Sequence, residues 1–413
     1  MHVSKEWNAW ENSTDSSSFQ NAGTERPWMC DEALYNQAGA FRRTMEIQPH
    51  EEGILQGLCY RENGMPYIRL FLEGVESAEL KIRRKRFLMQ EVKPGCFETE
   101  DLPEPGIYHI TVFLNGIEII SPYFPIYTLN NKAANYVEIG PLPAYLQCRD
   151  VPHGDVRHEI YYSKVLGRME AALVYTPPFY DETKEEYPVL YLQHGNGENE
   201  CSWVWNGKIN FLMDNLLSEG KAVPMLIVMA NGMVTLKRGC GAWTEEAGDF
   251  YGTGTYSLQK AMFERQILED IIPFIEKKYR TKKDRDHRAM AGLSMGSKQT
   301  SITVMKHLDQ FAWAGLFSGF MDDFLDDYHN DHLRQLLREK ERFNREMHLF
   351  FRSIGTEDEG FCYFQENDRF CEEHGIRTYR KMYAGGHNWN VWRQAACDFL
   401  QMVFQDRFYN YTE

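Results

Sequence analysis

Gly292-Leu293-Ser294-Met295-Gly296 sets a serine between two glycines, after the apolar run Ala289-Met290-Ala291 and ahead of a segment that reads as helix. That spacing suits a strained strand-to-helix turn, because neighbours without side chains let the backbone fold back sharply and lift the hydroxyl out of a sheet. A serine presented in this way can perform acyl transfer. It then needs a base to take its proton, a carboxylate to hold that base in one tautomer, and N–H donors for the oxyanion. The base on offer is His387, in Gly385-Gly386-His387-Asn388-Trp389, directly after a predicted strand ending at Ala384 and before the last helix. The carboxylate should follow another strand edge between serine and histidine, and Ile354-Gly355-Thr356-Glu357-Asp358-Glu359 fits that position. Asp358 is the choice and Glu357 the reserve, since pattern alone does not separate neighbouring carboxylates in a loop. The acidic stretch Asp322-Asp323-Phe324-Leu325-Asp326-Asp327 competes on chain order but reads better as a solvated loop.

The oxyanion donors expected are the backbone N–H of Met295, next to the serine, and that of Asn196 in the turn His194-Gly195-Asn196-Gly197. Glycine in that turn lets the backbone approach a substrate carbonyl closely. Metal binding is the rival for a chain with 13 histidines, yet nothing has H-E-x-x-H or C-x-x-C spacing, and the cluster around His329 and His332 reads as a solvent-facing helix start. Gly252-Thr253-Gly254 lacks the third glycine and the preceding strand of a dinucleotide loop. No cofactor and no metal are expected.

The elements that must position these residues fall into two textures. Between 45 and 130, Tyr67–Leu72, Ala78–Ile82, Tyr108–Leu114 and Ile117–Ile120 alternate at period two and are broken by Glu-Asn-Gly, Pro-Gly and Asn-Gly turns, which predicts a small antiparallel β-sandwich. Prolines 122, 125, 141 and 143 suggest a linker, taken as 131–150. Beyond it, 151–413 carries near-continuous apolar runs at Val189–Leu192 and Met225–Met229, as in strands buried on both faces of a parallel sheet. Later strands are predicted at Phe311–Phe317, Leu349–Ile354 and Thr378–Tyr383. A helix over 257–279 carries Phe263, Ile267, Ile271, Ile275 and Tyr279 on one stripe, and a closing helix carries Trp392, Ala395, Phe399 and Val403. Alternating β and α elements give a doubly wound sheet. Residues 1–44 form a polar extension with Trp7, Trp10 and Trp28; these dock onto the chain itself or cover a ligand site or a neighbouring subunit.

Composition narrows the partners. A formal charge of −15 over 413 residues argues against nucleic acid and anionic membrane, and the run Lys81–Arg86 reads as the solvated face of a strand. No stretch reaches the roughly 20 apolar residues of a membrane helix. Nine scattered cysteines do not look like a disulfide framework, and the N-terminus has no apolar leader, so a cytoplasmic location is expected. A homo-oligomer stays open.

With these residues in view the chain resembles the esterase D-like family of α/β-hydrolases, which includes feruloyl and acetyl-xylan esterases of carbohydrate esterase family one, enterochelin esterases and S-formylglutathione hydrolases. The resemblance spans about 150–405 and rests on Asp150-Val151-Pro152-His153-Gly154, Tyr161-Tyr162-Ser163-Lys164, Val174-Tyr175-Thr176-Pro177-Pro178, Leu192-Gln193-His194-Gly195, Ala291-Gly292-Leu293-Ser294-Met295-Gly296, Gly355-Thr356-Glu357-Asp358 and Gly386-His387-Asn388-Trp389-Asn390-Val391-Trp392-Arg393. It implies an α/β-hydrolase fold and a serine carboxylesterase with Ser294, His387 and Asp358 as its triad, acting on feruloyl or acetyl esters of plant cell-wall polysaccharide or oligosaccharide. A siderophore trilactone esterase is the alternative, and a non-catalytic binding module on a hydrolase fold is the alternative of another class. Residues 45–130 resemble, through Gly106-Ile107-Tyr108 and Leu114-Asn115-Gly116, the early-set immunoglobulin-like domain often fused ahead of such esterases. Ser297 and Lys298 stand where the family commonly has a second glycine, and Asn196 where glycine is frequent. Trp203, Trp205, Trp243 and Trp389 are candidates for an aromatic wall against the substrate, with core packing as the other reading.

Overall fold

The computed structural model describes residues 49–50, 54–55, 57–82, 85–102, 105–121, 124–130, 132–234, 262–321 and 331–409. The tryptophans of the N-terminal extension, Trp243, the stretches 252–254 and 322–327 and His329 lie outside the described residues.

The first texture folds as a nine-stranded antiparallel sheet. Alternation drives it: in Ala78–Ile82 the side chains of Ala78, Leu80 and Ile82 are buried while Lys81 faces water. The long strand Lys85–Lys93 pairs with Ala78–Ile82 at one end and with Cys96–Glu98 at the other, with a register shift between Glu91 and Lys93. The sheet turns about this strand so that Ile68, Leu70 and Phe97 from one half share a core with Leu80, Ile110 and Val112 from the other. The basic run straddles two strands, and its described members Lys81, Lys85 and Arg86 are exposed, Arg86 pairing with Glu79.

The stretch expected to be a linker is structured differently. Ile126–Leu129 and Lys132–Ile139 form a hairpin, and the second strand joins the sheet beside Gly106–Leu114, with Val137 opposite Tyr108. The prolines bracket these strands instead of interrupting them, so no ladder N–H is lost. Asn135 is buried and its amide donates to the carbonyls of Ser121 and Phe124, which satisfies these two carbonyls ahead of the hairpin. Tyr127, Ala134 and Tyr136 face the other way, into the core of the second sheet.

That second sheet has eight strands in the order Asp155–Ser163, Arg168–Thr176, Leu226–Ala230, Val189–Gln193, Arg288–Leu293, Trp313–Phe317, Leu349–Gly355 and Tyr379–Tyr383. The strands from Leu226–Ala230 onward run parallel to one another. Arg168–Thr176 is antiparallel to both strands beside it. Both faces are covered: Leu190 and Leu192 enter one hydrophobic cluster with the helices Ile209–Ser218 and Trp389–Leu400, while Val189 and Tyr191 enter a second cluster on the opposite face with Phe263, Ile267 and Ile275. The expected apolar stripe on the helix ending near 279 is buried throughout, but the helix widens into a π turn at Ile267–Ile271 before Ile272–Lys278. Pro273 has no N–H to give to the carbonyl four residues back, which accounts for the wider turn ahead of it. Strands Val189–Gln193, Arg288–Leu293, Leu349–Gly355 and Tyr379–Tyr383 all end at the same edge of the sheet, and the loops leaving those ends carry the residues singled out above.

Candidate active site

Ser294 follows the strand Arg288–Leu293 directly and precedes the helix Met295–Lys306, with φ 51° and ψ −113°. A non-glycine residue in such a conformation costs on the order of 1–3 kcal/mol and persists only where its surroundings leave no other choice. Here they do not. Ser294 N–H donates to Phe317 O at 2.9 Å, and Ser294 O accepts from Ser297 N at 3.1 Å and from Ser297 Oγ at 2.6 Å. The two glycines are steric necessities: a Cβ at Gly292 would lie 2.6 Å from the Gly296 carbonyl carbon, and one at Gly296 would lie 2.6 Å from His194 O. Ser297, which stands where the family often has glycine, is buried and ties the helix start to the elbow; Lys298 is buried with its Nζ 5.8 Å from the centre of the Phe320 ring.

Ser294 Oγ lies 2.9 Å from His387 Nε2, and His387 Nδ1 lies 2.9 Å from Asp358 Oδ2. Asp358, rather than Glu357, therefore meets the imidazole. The acid and histidine loops are laced together, Thr356 N–H donating to Tyr383 O and Glu357 N–H to Gly385 O, and Gly385 takes φ +117° to allow the approach. Asp358 is buried, and burial alone would raise its pKa. The hydrogen bond and charge of His387, with Gly360 N–H donating to Oδ1 at 3.0 Å, outweigh burial and hold it below the ordinary carboxylate range. The Trp392 ring meets the imidazole edge-on, at 5.1 Å between centroids.

The turn after Val189–Gln193 lies against the elbow, as the approach of His194 O to Gly296 shows. Glu198 N–H reaches Gly195 O at 3.3 Å and Gly197 has φ +75°, the requirement of a type II turn at its third position. Asn196 sits at the second position, its side-chain Oδ1 buried without a hydrogen-bond partner. Met295, as the first residue of its helix, places its N–H among those an α-helix leaves outside its own ladder. His194 is a structural residue: Gly232 N–H donates to its Nε2 at 2.9 Å, its Nδ1 lies 2.7 Å from Gly195 O, and burial lowers its pKa to about 4, so the ring is neutral.

One residue of this turn was not singled out from the sequence. Glu198 is buried, accepting from Gly195 N at 2.9 Å through Oε2 and from Trp389 Nε1 at 3.0 Å through Oε1. Burial pushes its carboxyl up to about 7, against the opposing pull of those two donors and of His387. The signal available in sequence was only an acidic residue directly after the second glycine of the turn, which is common on any surface.

Two of the three described candidate tryptophans are built into the core. Trp203 is buried with its Nε1 donating to Gln193 O, and Trp389 is buried 5.1 Å from it, edge to face. Trp205 is partly buried against the same cluster. A ring packed within the core offers little to a substrate, so for Trp203 and Trp389 the core-packing reading is the one that fits.

Comparison with known proteins then sets this arrangement in a family. A family model described as putative esterase matches residues 163–401. An endo-1,4-beta-xylanase/feruloyl esterase from Xylanibacter ruminicola is 34% identical over 230 residues, 54% of this chain and 30% of that protein. The chain spans about a third or less of the length of the curated relatives it matches. Among solved structures, a ferulic acid esterase shares 26% identity at a TM-score of 0.50, covering 62% of this chain and 99% of that one. The enterobactin esterase of Shigella flexneri has a TM-score of 0.59 at 13% identity, covering 85% of this chain and 97% of that one, a likeness of fold alone. The chain belongs to this esterase family, whose model takes in seven of the eight strands of the second sheet, a family of carboxylic ester hydrolases.

Proposed function

We propose that the chain is a serine carboxylesterase acting on feruloyl or acetyl esters of plant cell-wall polysaccharide or oligosaccharide. The observation that carries this reading is the unbroken relay from Asp358 through His387 to the strained Ser294. His387 takes the hydroxyl proton as Ser294 Oγ attacks the ester carbonyl, and the oxyanion that forms is met by the N–H groups of Met295 and Asn196. His387 then gives that proton to the leaving alkoxide, which departs as the alcohol. Water, deprotonated by the same imidazole, attacks the acyl-enzyme, and the tetrahedral adduct collapses to the free acid as His387 returns that proton to Ser294 Oγ. Asp358 stays ionised and keeps the Nδ1 proton of His387 toward itself. The choice of feruloyl first follows the relatives named for that ester. We also read the N-terminal sheet as an immunoglobulin-like module that packs on the catalytic part.

The test is hydrolysis of methyl ferulate, acetylated xylan and a catecholate trilactone by wild type and by Ser294→Ala. Methyl ferulate turned over by wild type, with a loss on the order of 10⁴-fold or more in the alanine variant, supports the reading. Turnover that survives the substitution removes Ser294 as nucleophile, and preference for the trilactone reassigns the substrate.

A further inference from the structure

Both hydrogen bonds of the Glu198 carboxyl are acceptances, one on each oxygen, and the two donors belong to different parts of the site. Gly195 N–H lies in the turn that offers Asn196 as an oxyanion donor; Trp389 Nε1 lies at the start of the helix Trp389–Leu400, two residues past His387. We propose that Glu198 is a positioning residue that clamps the oxyanion turn to the histidine loop and so fixes the distance between the Asn196 N–H and the proton carrier His387. This rests on the reading of the site as a serine esterase.

Three observations point the same way. A buried carboxyl among aromatic rings is costly unless its oxygens are hydrogen-bonded, so its position is dictated by those two donors. Glutamine has the same length but only one acceptor oxygen; its NH₂ would face a second N–H donor. A carboxyl is therefore the side chain that suits two donors at this reach. Finally, the donor outside the turn, Trp389, is not free to follow it. The Trp389 ring is wedged against Trp203 and Trp392, and Trp203 is in turn bonded to Gln193 O, immediately before the turn. The other face of the turn is closed by the neighbouring sheet, where Asn130 backs onto Gly197 and Thr128 Oγ1 accepts from Asn199 Nδ2 at 2.9 Å. The titratable groups that bear on Glu198 are His387 from the last loop and Tyr127 from the neighbouring hairpin, the latter buried with its pKa raised by burial and by Glu198.

The clamp predicts a coupled effect on turnover. Glu198→Gln and Trp389→Phe each lower kcat for 4-nitrophenyl acetate roughly 10-fold or more, a fraction of what losing a whole oxyanion donor costs. KM changes by less than about threefold, and the double variant is no slower than the slower single one, because each removes the same link. Trp389→Phe keeps an aromatic side chain and removes the N–H together with the five-membered ring that bears it, so it tests the clamp from the donor's side even where Glu198→Gln folds poorly. Unchanged kcat in Trp389→Phe, losses that multiply, or a loss confined to KM each overturn the clamp while leaving Ser294→Ala inactive. Wild-type rates in Ser294→Ala would instead overturn the reading of the site on which the clamp depends.

Discussion

The elbow at Ser294 and the turn at Gly195–Glu198 lie against each other at one edge of the sheet, yet different forces hold them. The elbow is fixed by exclusion: two positions where a single added carbon would strike the backbone 2.6 Å away leave one path for the chain. The turn is fixed by attachment, through a carboxyl bonded to a helix 191 residues later and through contacts from the neighbouring sheet. Exclusion is written locally, so three residues at fixed spacing announce it. Attachment depends on partners distant in sequence, and no local pattern reports it. The acid and histidine loops stand between these cases, since their glycines are visible but their pairing is not.

The largest expected effect lies in those loops. Asp358→Asn should keep the side chain in place but reverse the bond that orients His387, with kcat falling on the order of 10⁴-fold and KM little changed. Glu357→Gln should stay within about twofold. Equal losses in both would mean that the hydrogen bond at 2.9 Å does not choose between the two carboxylates. Next comes Gly296→Ala, which sets a methyl group against His194 O. The elbow and the turn must then separate, so kcat/KM should drop about 100-fold or more, and thermal unfolding should come at lower temperature. An active alanine variant would show that the elbow is held by its hydrogen bonds and not by exclusion.

Legibility followed the same division. Ser294, His387 and the parallel strands were readable because each is marked by composition within a few residues: glycines around a serine, a glycine pair before a histidine, apolar runs buried on both sides. Asp358 could be placed only to within one residue, because both neighbours are carboxylates and what separates them is which one turns inward. The strand Lys132–Ile139 falls where a linker was expected, since prolines at 122, 125, 141 and 143 mark both the ends of strands and the middle of loops. The tryptophans were ambiguous for a further reason. An indole is large and apolar with one polar edge, so it serves a ligand wall and a core equally well, and burial decides. Glu198 was invisible because a carboxylate is ordinarily a surface residue.

Glu198 also gives the attachment a signature in stability. Its pKa in the folded chain, about 7, lies above the ordinary value of 4.5. Between these limits the folded state holds a proton that the unfolded chain has released, so stability falls as pH rises from about 4.5 to 7 and is level beyond. The full span is on the order of 3 kcal/mol at most. Denaturant unfolding of wild type and Glu198→Gln at pH 5 and pH 8 checks the sign: the loss toward pH 8 should shrink in the variant. Identical pH dependence in both proteins would mean that the carboxyl titrates normally and that its burial is not what the turn is built around. Asp358 acts in the opposite direction, since its lowered pKa gives stability at neutral pH that is lost on acidification, so the comparison belongs above pH 5.

The smallest effect tests how far attachment reaches into the other sheet. Asn199 Nδ2 donates to Thr128 Oγ1 at 2.9 Å, a neutral bond, partly buried, between the turn and the tip of the hairpin. Thr128→Val removes the acceptor and keeps the shape. It should cost about 1 kcal/mol of stability and change kcat by less than about fivefold, because Glu198 and the approach of Asn130 to Gly197 still hold the turn. A tenfold or greater loss of kcat, with unfolding unchanged, would move the balance: the N-terminal sheet would then be holding the oxyanion turn during catalysis, and the carboxyl would be the lesser of its two supports.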